Sequence, residues 1–154
     1  MLFRNSKLKQ EQKGNIMLYL EHLNLVVRDI SKALAFYQAA FPHWKIRGEG
    51  HSTWHGKPRR WLHFGDDHLY LALSDHGESD IRDNSGFEVG LSHFAFVTDE
   101  LAQVTQRLES AGFIGEKGEG TTGIRNNTYF TDADGYEIEF VEYLTGAVGK
   151  RNDY

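Results

Sequence analysis

Apolar residues along this chain switch between two spacings. From Leu20 to Val27 and from Leu91 to Val97 they alternate with polar or small residues, the two-residue period of a half-buried strand. An acidic residue follows each stretch, Asp29 or Asp99, and then a run at helical spacing. The first run uses Ile30, Ala33, Leu34, Tyr37 and Phe41; the second uses Leu101, Val104, Leu108 and Ala111. Each aspartate is expected to accept unpaired N–H groups of the first helical turn, and Gly112 is expected to stop the second helix. Strand-like sequence follows both helices: Trp44 to Ile46, Trp61 to Phe64 and His68 to Leu73, then Asn127 to Thr131 and Tyr136 to Tyr143. Asp132-Ala133-Asp134-Gly135 splits the last pair and reads as a turn in which Gly135 takes φ > 0.

The two halves superimpose as sequence. Leu20-Glu21-His22-Leu23-Asn24-Leu25-Val26 lies on Leu91-Ser92-His93-Phe94-Ala95-Phe96-Val97, an offset of 71 positions that puts His22 on His93. Each half reads as strand, helix and about three strands, so the pattern predicts an α+β fold of two βαβββ modules forming a curved mixed sheet around a central cavity. The expected division is a flexible N-terminal tail over 1–16, a first module over 17–75, a polar linker over 76–90, a second module over 91–145 and a loose C-terminal tail over 146–154.

Alternation assigns the faces of these strands. Leu23, Leu25 and Val27, Leu69, Leu71 and Leu73, Phe94 and Phe96, and Ile138 and Phe140 are expected to pack under the helices. The opposite faces carry His22, Asn24 and Val26, Tyr70, Ala72 and Ser74, His93, Ala95 and Val97, and Glu137, Glu139 and Val141. A helix-free face that is half polar either meets solvent or walls a cavity. The repeat relates His22 to His93, and the module ends relate Ala72 to Glu139. Four corresponding positions are thus expected to point at one centre, three of them with metal-ligand side chains.

Composition narrows the function classes. The 154 residues are 40% hydrophobic and 25% charged, enough for an ordinary core. The net charge of −5, with both signs interspersed, argues against non-specific binding to nucleic acid or anionic membrane. No apolar run approaches the roughly 20 residues that cross a bilayer. With no cysteine, any metal must be held by nitrogen and oxygen, and the composition suits a reducing cytoplasm, the expected location.

Three pieces carry a family resemblance: Leu20 to Val27 with Ala35-Phe36-Tyr37, Leu91 to Phe96, and Tyr129 to Phe140 with its Asp132-x-Asp134-Gly135-Tyr136-x-Ile138-Glu139 core. Together they resemble the vicinal oxygen chelate superfamily of glyoxalase I, fosfomycin-resistance thiol transferases, extradiol dioxygenases and bleomycin-resistance proteins, over about residues 18 to 145. The resemblance implies His22, His93 and Glu139 as ligands of a divalent ion, without distinguishing Fe, Mn, Zn, Ni or Co. It also implies a homodimer. The fourth glyoxalase ligand falls on Ala72, and Asn24 stands where the transferases carry Thr. Tyr129, ten positions before Glu139, fits the dioxygenase pattern, but 119–127 lacks the histidine that pattern also uses. The open side of such an ion accepts two substrate oxygens and acts as a Lewis acid, with Glu139 partly neutralising it and Tyr129 donating a proton or hydrogen bond. Asn24, Trp54, Arg59 and Arg60 are the expected substrate contacts. The arginines read either as a clamp for a carboxylate or phosphonate or as a solvated loop. Three functions follow for a small-molecule protein: a metal-dependent enzyme of glyoxalase or fosfomycin-transferase type, an Fe(II) extradiol-type dioxygenase, or a non-catalytic drug- or metabolite-binding protein.

Overall fold

A computed structural model describes residues 18–119 and 123–152; the expected tail over 1–16 lies outside them. The first module runs β1 (His22–Val26), α1 (Ile30–Ala40), β2 (Lys45–Trp54), β3 (Lys57–Gly65) and β4 (Tyr70–Ser74). The second runs β5 (His93–Val97), α2 (Leu101–Ser110), β6 (Gly115–Lys117), β7 (Arg125–Thr131) and β8 (Glu137–Tyr143). Each builds a four-stranded sheet, β1-β4-β3-β2 and β5-β8-β7-β6. The β1–β4 and β5–β8 pairs are parallel and the others antiparallel, so both sheets are mixed as expected, and they do not close into a barrel.

Asp29 caps α1 as its sequence position predicts, accepting from the N–H groups of Ser31 (2.8 Å) and Lys32 (3.1 Å). Asp99 does not do the same. Here α2 starts one residue later, with Glu100 in the cap position and no side-chain cap bond, and the Leu101 N–H donates instead to Glu142 Oε1 of β8 at 3.4 Å. The far end of α2 stops at Gly112 (φ 91°). Its N–H reaches Glu109 O and that of Phe113 reaches Leu108 O, both at 3.0 Å, which satisfies the last helical carbonyls.

The hairpin β2–β3 is much longer than the short runs read from sequence. Its tight turn is His55 (φ 46°) and Gly56 (φ 80°), the paired positive-φ geometry that matches strand twist. The alternation is obscured because Gly48, Gly50 and Ser52 occupy one face of β2, beneath Trp61. A Cβ on Gly50 would lie 3.0–3.1 Å from the indole, so the glycine makes room for the ring.

Of the helix-side residues foreseen from alternation, Leu25, Val27, Leu71, Leu73, Ile138 and Phe140 are buried in one core spanning both modules, and Leu23, Leu69, Phe94 and Phe96 pack half-buried against it. Phe36 is buried too, although the helical period omitted it. It faces the other module, edge-on to Phe113 at 4.8 Å and near Phe130 at 6.5 Å. Each such buried aromatic contributes about 1.5–3 kcal/mol through the apolar area it removes from water. Polar ties reinforce the junction. Tyr37 OH donates to Asp132 Oδ2 at 2.9 Å, and Arg28 donates to Asp134 Oδ1 from its backbone N (2.9 Å) and Nε (3.1 Å). Asp132 Oδ1 also accepts from the N–H groups of Asp134, Gly135 and Tyr136, so the expected turn, with Gly135 at φ 101°, is held by one carboxylate.

The C-terminal stretch read as loose forms a 3-10 helix, Val148–Asn152, and Arg151 rests 4.5 Å over the Tyr143 ring. Because the helix sides of both sheets close on one core, their helix-free faces turn away from it.

Candidate metal centre

The second module assembles its chemistry on the helix-free face of three neighbouring strands. The register sets Glu137 beside His93, Glu139 beside Ala95, and Tyr129 beside Glu139. Alternation then puts His93, Glu137, Glu139, Tyr129 and Asn127 on one side. His93 Nε2 lies 3.4 Å from Glu139 Oε2, and His93 Nδ1 lies 3.8 Å from Glu137 Oε1. Donors bound at about 2.1 Å to one ion at octahedral or tetrahedral angles stand roughly 3.0–3.4 Å apart, so the His93–Glu139 pair fits a shared cation.

Glu139 is only 6% exposed, a costly place for a carboxylate without donors. Asn127 Nδ2 donates to Oε1 at 2.8 Å and reaches Tyr129 OH at 3.3 Å, leaving Oε2 directed at His93. Gly118 makes room for this amide, since a Cβ there would lie 2.3 Å from its oxygen. Burial, and then the Glu139 charge, raise the Tyr129 pKa, so the phenol keeps its proton at neutral pH. The Tyr129 ring meets His93 edge-on at 5.6 Å. A hollow of about 350 Å³ opens beside Tyr129 and Glu137, with Arg82 on its far wall.

His22 is elsewhere. It projects from the helix-free face of the first sheet, shares a hydrogen bond at Nδ1 with Glu21 Oε2 (2.9 Å), and stacks on Tyr70 at 4.8 Å. Among the described residues, no group of three or more His, Cys, Asp or Glu could hold an ion within the chain. One chain thus brings together His93 and Glu139 and leaves His22 on the other module. Ala72, beside Asn24 in the register, supplies no fourth ligand, and Asn24 lies on the His22 face.

The two arginines foreseen as a clamp diverge, as neighbours on a strand must. Arg59 stays on the open face, bonded to Ser52 Oγ (3.1 Å) and Ser74 Oγ (3.2 Å) and resting 4.8 Å over the Trp54 ring. Arg60 points the other way and is taken by Glu49 at 2.6 Å. Trp54 ends β2 and is 49% exposed. Sequence reasoning passed over Asn127, His63 and Arg47. Asn127 shares the face of Tyr129 two residues away, so alternation would have found it. His63 lies 4.7 Å from Tyr70, and burial, then His22 and Arg47, lower its pKa.

Two mixed βαβββ sheets joined through a common helical core, with imidazole and carboxylate donors on their open faces, define a protein of glyoxalase-like architecture. The family model described as Glyoxalase/Bleomycin resistance protein/Dioxygenase superfamily matches residues 19–140, and the chain belongs to that superfamily. It is 30% identical over 138 residues to the metallothiol transferase FosB of Lysinibacillus sphaericus, covering 88% of this chain and 87% of that one. It is 27% identical over 145 residues to the FosB of Bacillus licheniformis, covering 92% and 84%. In fold it is similar to a glyoxylase/bleomycin resistance protein/dioxygenase domain from Frankia (TM-score 0.68, 21% identity, 90% of this chain and 99% of that one). It is also similar to a mutant of the fosfomycin resistance protein FosX from Listeria monocytogenes, complexed with Mn(II) and 1S,2S-dihydroxypropylphosphonic acid (TM-score 0.66, 20% identity, 88% and 98%).

Proposed function

We propose that this protein is a metal-dependent enzyme of the fosfomycin-transferase and glyoxalase type, acting on a small oxygen-chelating substrate as a homodimer. His93 and Glu139 of one copy and the partner's His22 hold the ion. The observation that carries this reading is the His93 Nε2–Glu139 Oε2 approach of 3.4 Å on an open face, with the buried carboxylate oriented by Asn127.

The second copy follows from what the faces lack. Both helix-free faces leave apolar side chains open to solvent among the described residues, Val26 (41%) on the first and Val97 (59%) on the second. The faces also differ in charge: Arg47, Arg59, His22 and His63 stand on the first, while Glu137 and Glu139 stand with His93 and Arg125 on the second. Face-to-face pairing about a two-fold axis would bury both kinds and create two equal sites.

A divalent ion in such a site supplies Lewis acidity toward two substrate oxygens. The chain's own groups do the rest. Asn127 fixes Glu139, Tyr129 offers a proton-bearing hydroxyl to a bound oxygen, and Asn24 with Trp54 lines the opposite wall. The FosB relatives favour thiol transfer over the other chemistries of the superfamily, and the Mn(II) complex of FosX favours a divalent ion. Mn(II) titration, followed by thiol-dependent turnover of an epoxide-bearing phosphonate, tests the proposal. Metal binding with thiol consumption is the expected result. Stoichiometric iron with oxygen uptake on catechols would establish the dioxygenase reading instead, and tight binding of a flat apolar ligand without metal would establish the sequestering one.

A further inference from the structure

We propose that Arg47, on the bulge of β2, is the residue of the first module that receives the anionic end of the substrate. The inference rests on the reading of the open faces as walls of one site.

Four observations lead to Arg47. First, β2 and β3 pair residue by residue from Trp54 back to Gly48, and then the register shifts. Ile46 faces Phe64 and Gly48 faces His63, which leaves Arg47 as the extra residue of a β-bulge. Bulges re-aim a side chain, and this one delivers a cation to the helix-free face. Second, the guanidinium carbon rests 4.4 Å from the Tyr70 ring centroid, and that same ring stacks on His22 at 4.8 Å. Tyr70 thereby ties the charge to the ring that carries His22, the ligand proposed from the first module. Third, Arg47 is exposed, and among the described residues no carboxylate pairs with it. Arg28 and Arg60 are bound by carboxylates, and Arg107 donates to the carbonyls of Ala39 and Ala40. Arg59 shares the open face but is bonded to Ser52 and Ser74 and rests against Trp54, whereas Arg47 rests on Tyr70, the ring on which His22 stacks. Fourth, a guanidinium resting on a ring uses its π face and keeps its N–H edge free, the edge that grips a carboxylate or phosphonate with two parallel hydrogen bonds. Opposed by the Glu137–Glu139 wall of a second copy, Arg47 also sorts the ends of the substrate, with the anion toward the first module.

Inorganic phosphate is the probe, titrated calorimetrically into Mn(II)-loaded and metal-free protein. Wild type is compared with Arg47→Met, Arg47→Lys and Lys45→Met, the last removing an equal charge two residues away. Arg47→Met is expected to weaken phosphate binding about tenfold or more, as the loss of a charge-assisted contact implies. Arg47→Lys should recover part of that loss, and Lys45→Met should bind phosphate like wild type. Mn(II) affinity should be the same in all four. Equal phosphate affinity in wild type and Arg47→Met, or no phosphate binding by wild type in either form, overturns the inference. If wild type takes up no Mn(II), the metal reading fails, yet a loss of phosphate binding in metal-free Arg47→Met still supports Arg47.

Discussion

The Asn127 amide decides how Glu139 is used. A carboxylate buried to 6% exposure keeps a defined orientation because one oxygen is bonded at 2.8 Å, which commits the other to His93. Groups that orient a ligand are worth about 10–100-fold in metal affinity. Asn127→Ala is therefore expected to weaken Mn(II) binding by about that factor with the fold intact, read by metal titration alongside circular dichroism. Acidification should weaken Mn(II) binding of wild type as well, because imidazoles ligate only when neutral. At the module junction, burial and the Asp132 charge hold the Tyr37 pKa well above its usual value, favouring the protonated phenol in the folded state. That stabilisation is complete below the unfolded pKa of about 10 and is lost as pH rises through the folded value. Tyr37→Phe should cost about 1–3 kcal/mol at pH 7, since it removes a donor from a buried carboxylate. Its stability should also fall less than that of wild type above about pH 10, as urea unfolding at the two pH values would show. His93 and Glu139 were legible because a two-residue period assigns strand faces, and Tyr129 because of the family resemblance. Arg47 was not, because a bulge breaks that period at the residue concerned.

Caps and registers show where local sequence governs an element and where tertiary contacts take over. An aspartate stands shortly before each helix, but Asp29 directly precedes α1 whereas Asp99 lies two residues before α2, and only Asp29 caps its helix. Around α2, the Thr98 hydroxyl accepts from the Glu100 N–H at 3.0 Å and Glu142 reaches across from β8, so Asp99 is left outside the first turn. Asp29→Ala should therefore cost about 1 kcal/mol in thermal or urea unfolding. Asp99→Ala should stay within about 0.5 kcal/mol of wild type, and equal losses would show the two caps to be alike after all. The long β2–β3 hairpin was hidden for a related reason: glycines that admit Trp61 remove the apolar alternation that reveals a strand. The helices and the central strands, each with one fully buried face, were plain.

For the whole molecule, the repeat revealed two modules but not how they face each other. Each module has an apolar helix side, and burying it is compatible with more than one arrangement. The choice is made by contacts between residues far apart in sequence: Phe41 against Phe96 at 4.7 Å, Tyr37 on Asp132, and Arg28 on Asp134. These close the helix sides together and turn His22 away from His93 and Glu139. Under the proposed pairing, three ligands meet at one centre only when two copies each lend what the other lacks. A heterodimer of His22→Ala and Glu139→Gln chains, isolated with two affinity tags, tests this most directly. It pairs the intact His93 and Glu139 of the first chain with the intact His22 of the second. Each variant alone should bind no Mn(II) at the site, and the heterodimer should bind about one ion per dimer, as two-fold sharing requires. A heterodimer that binds no more Mn(II) than its parents would contradict the shared site.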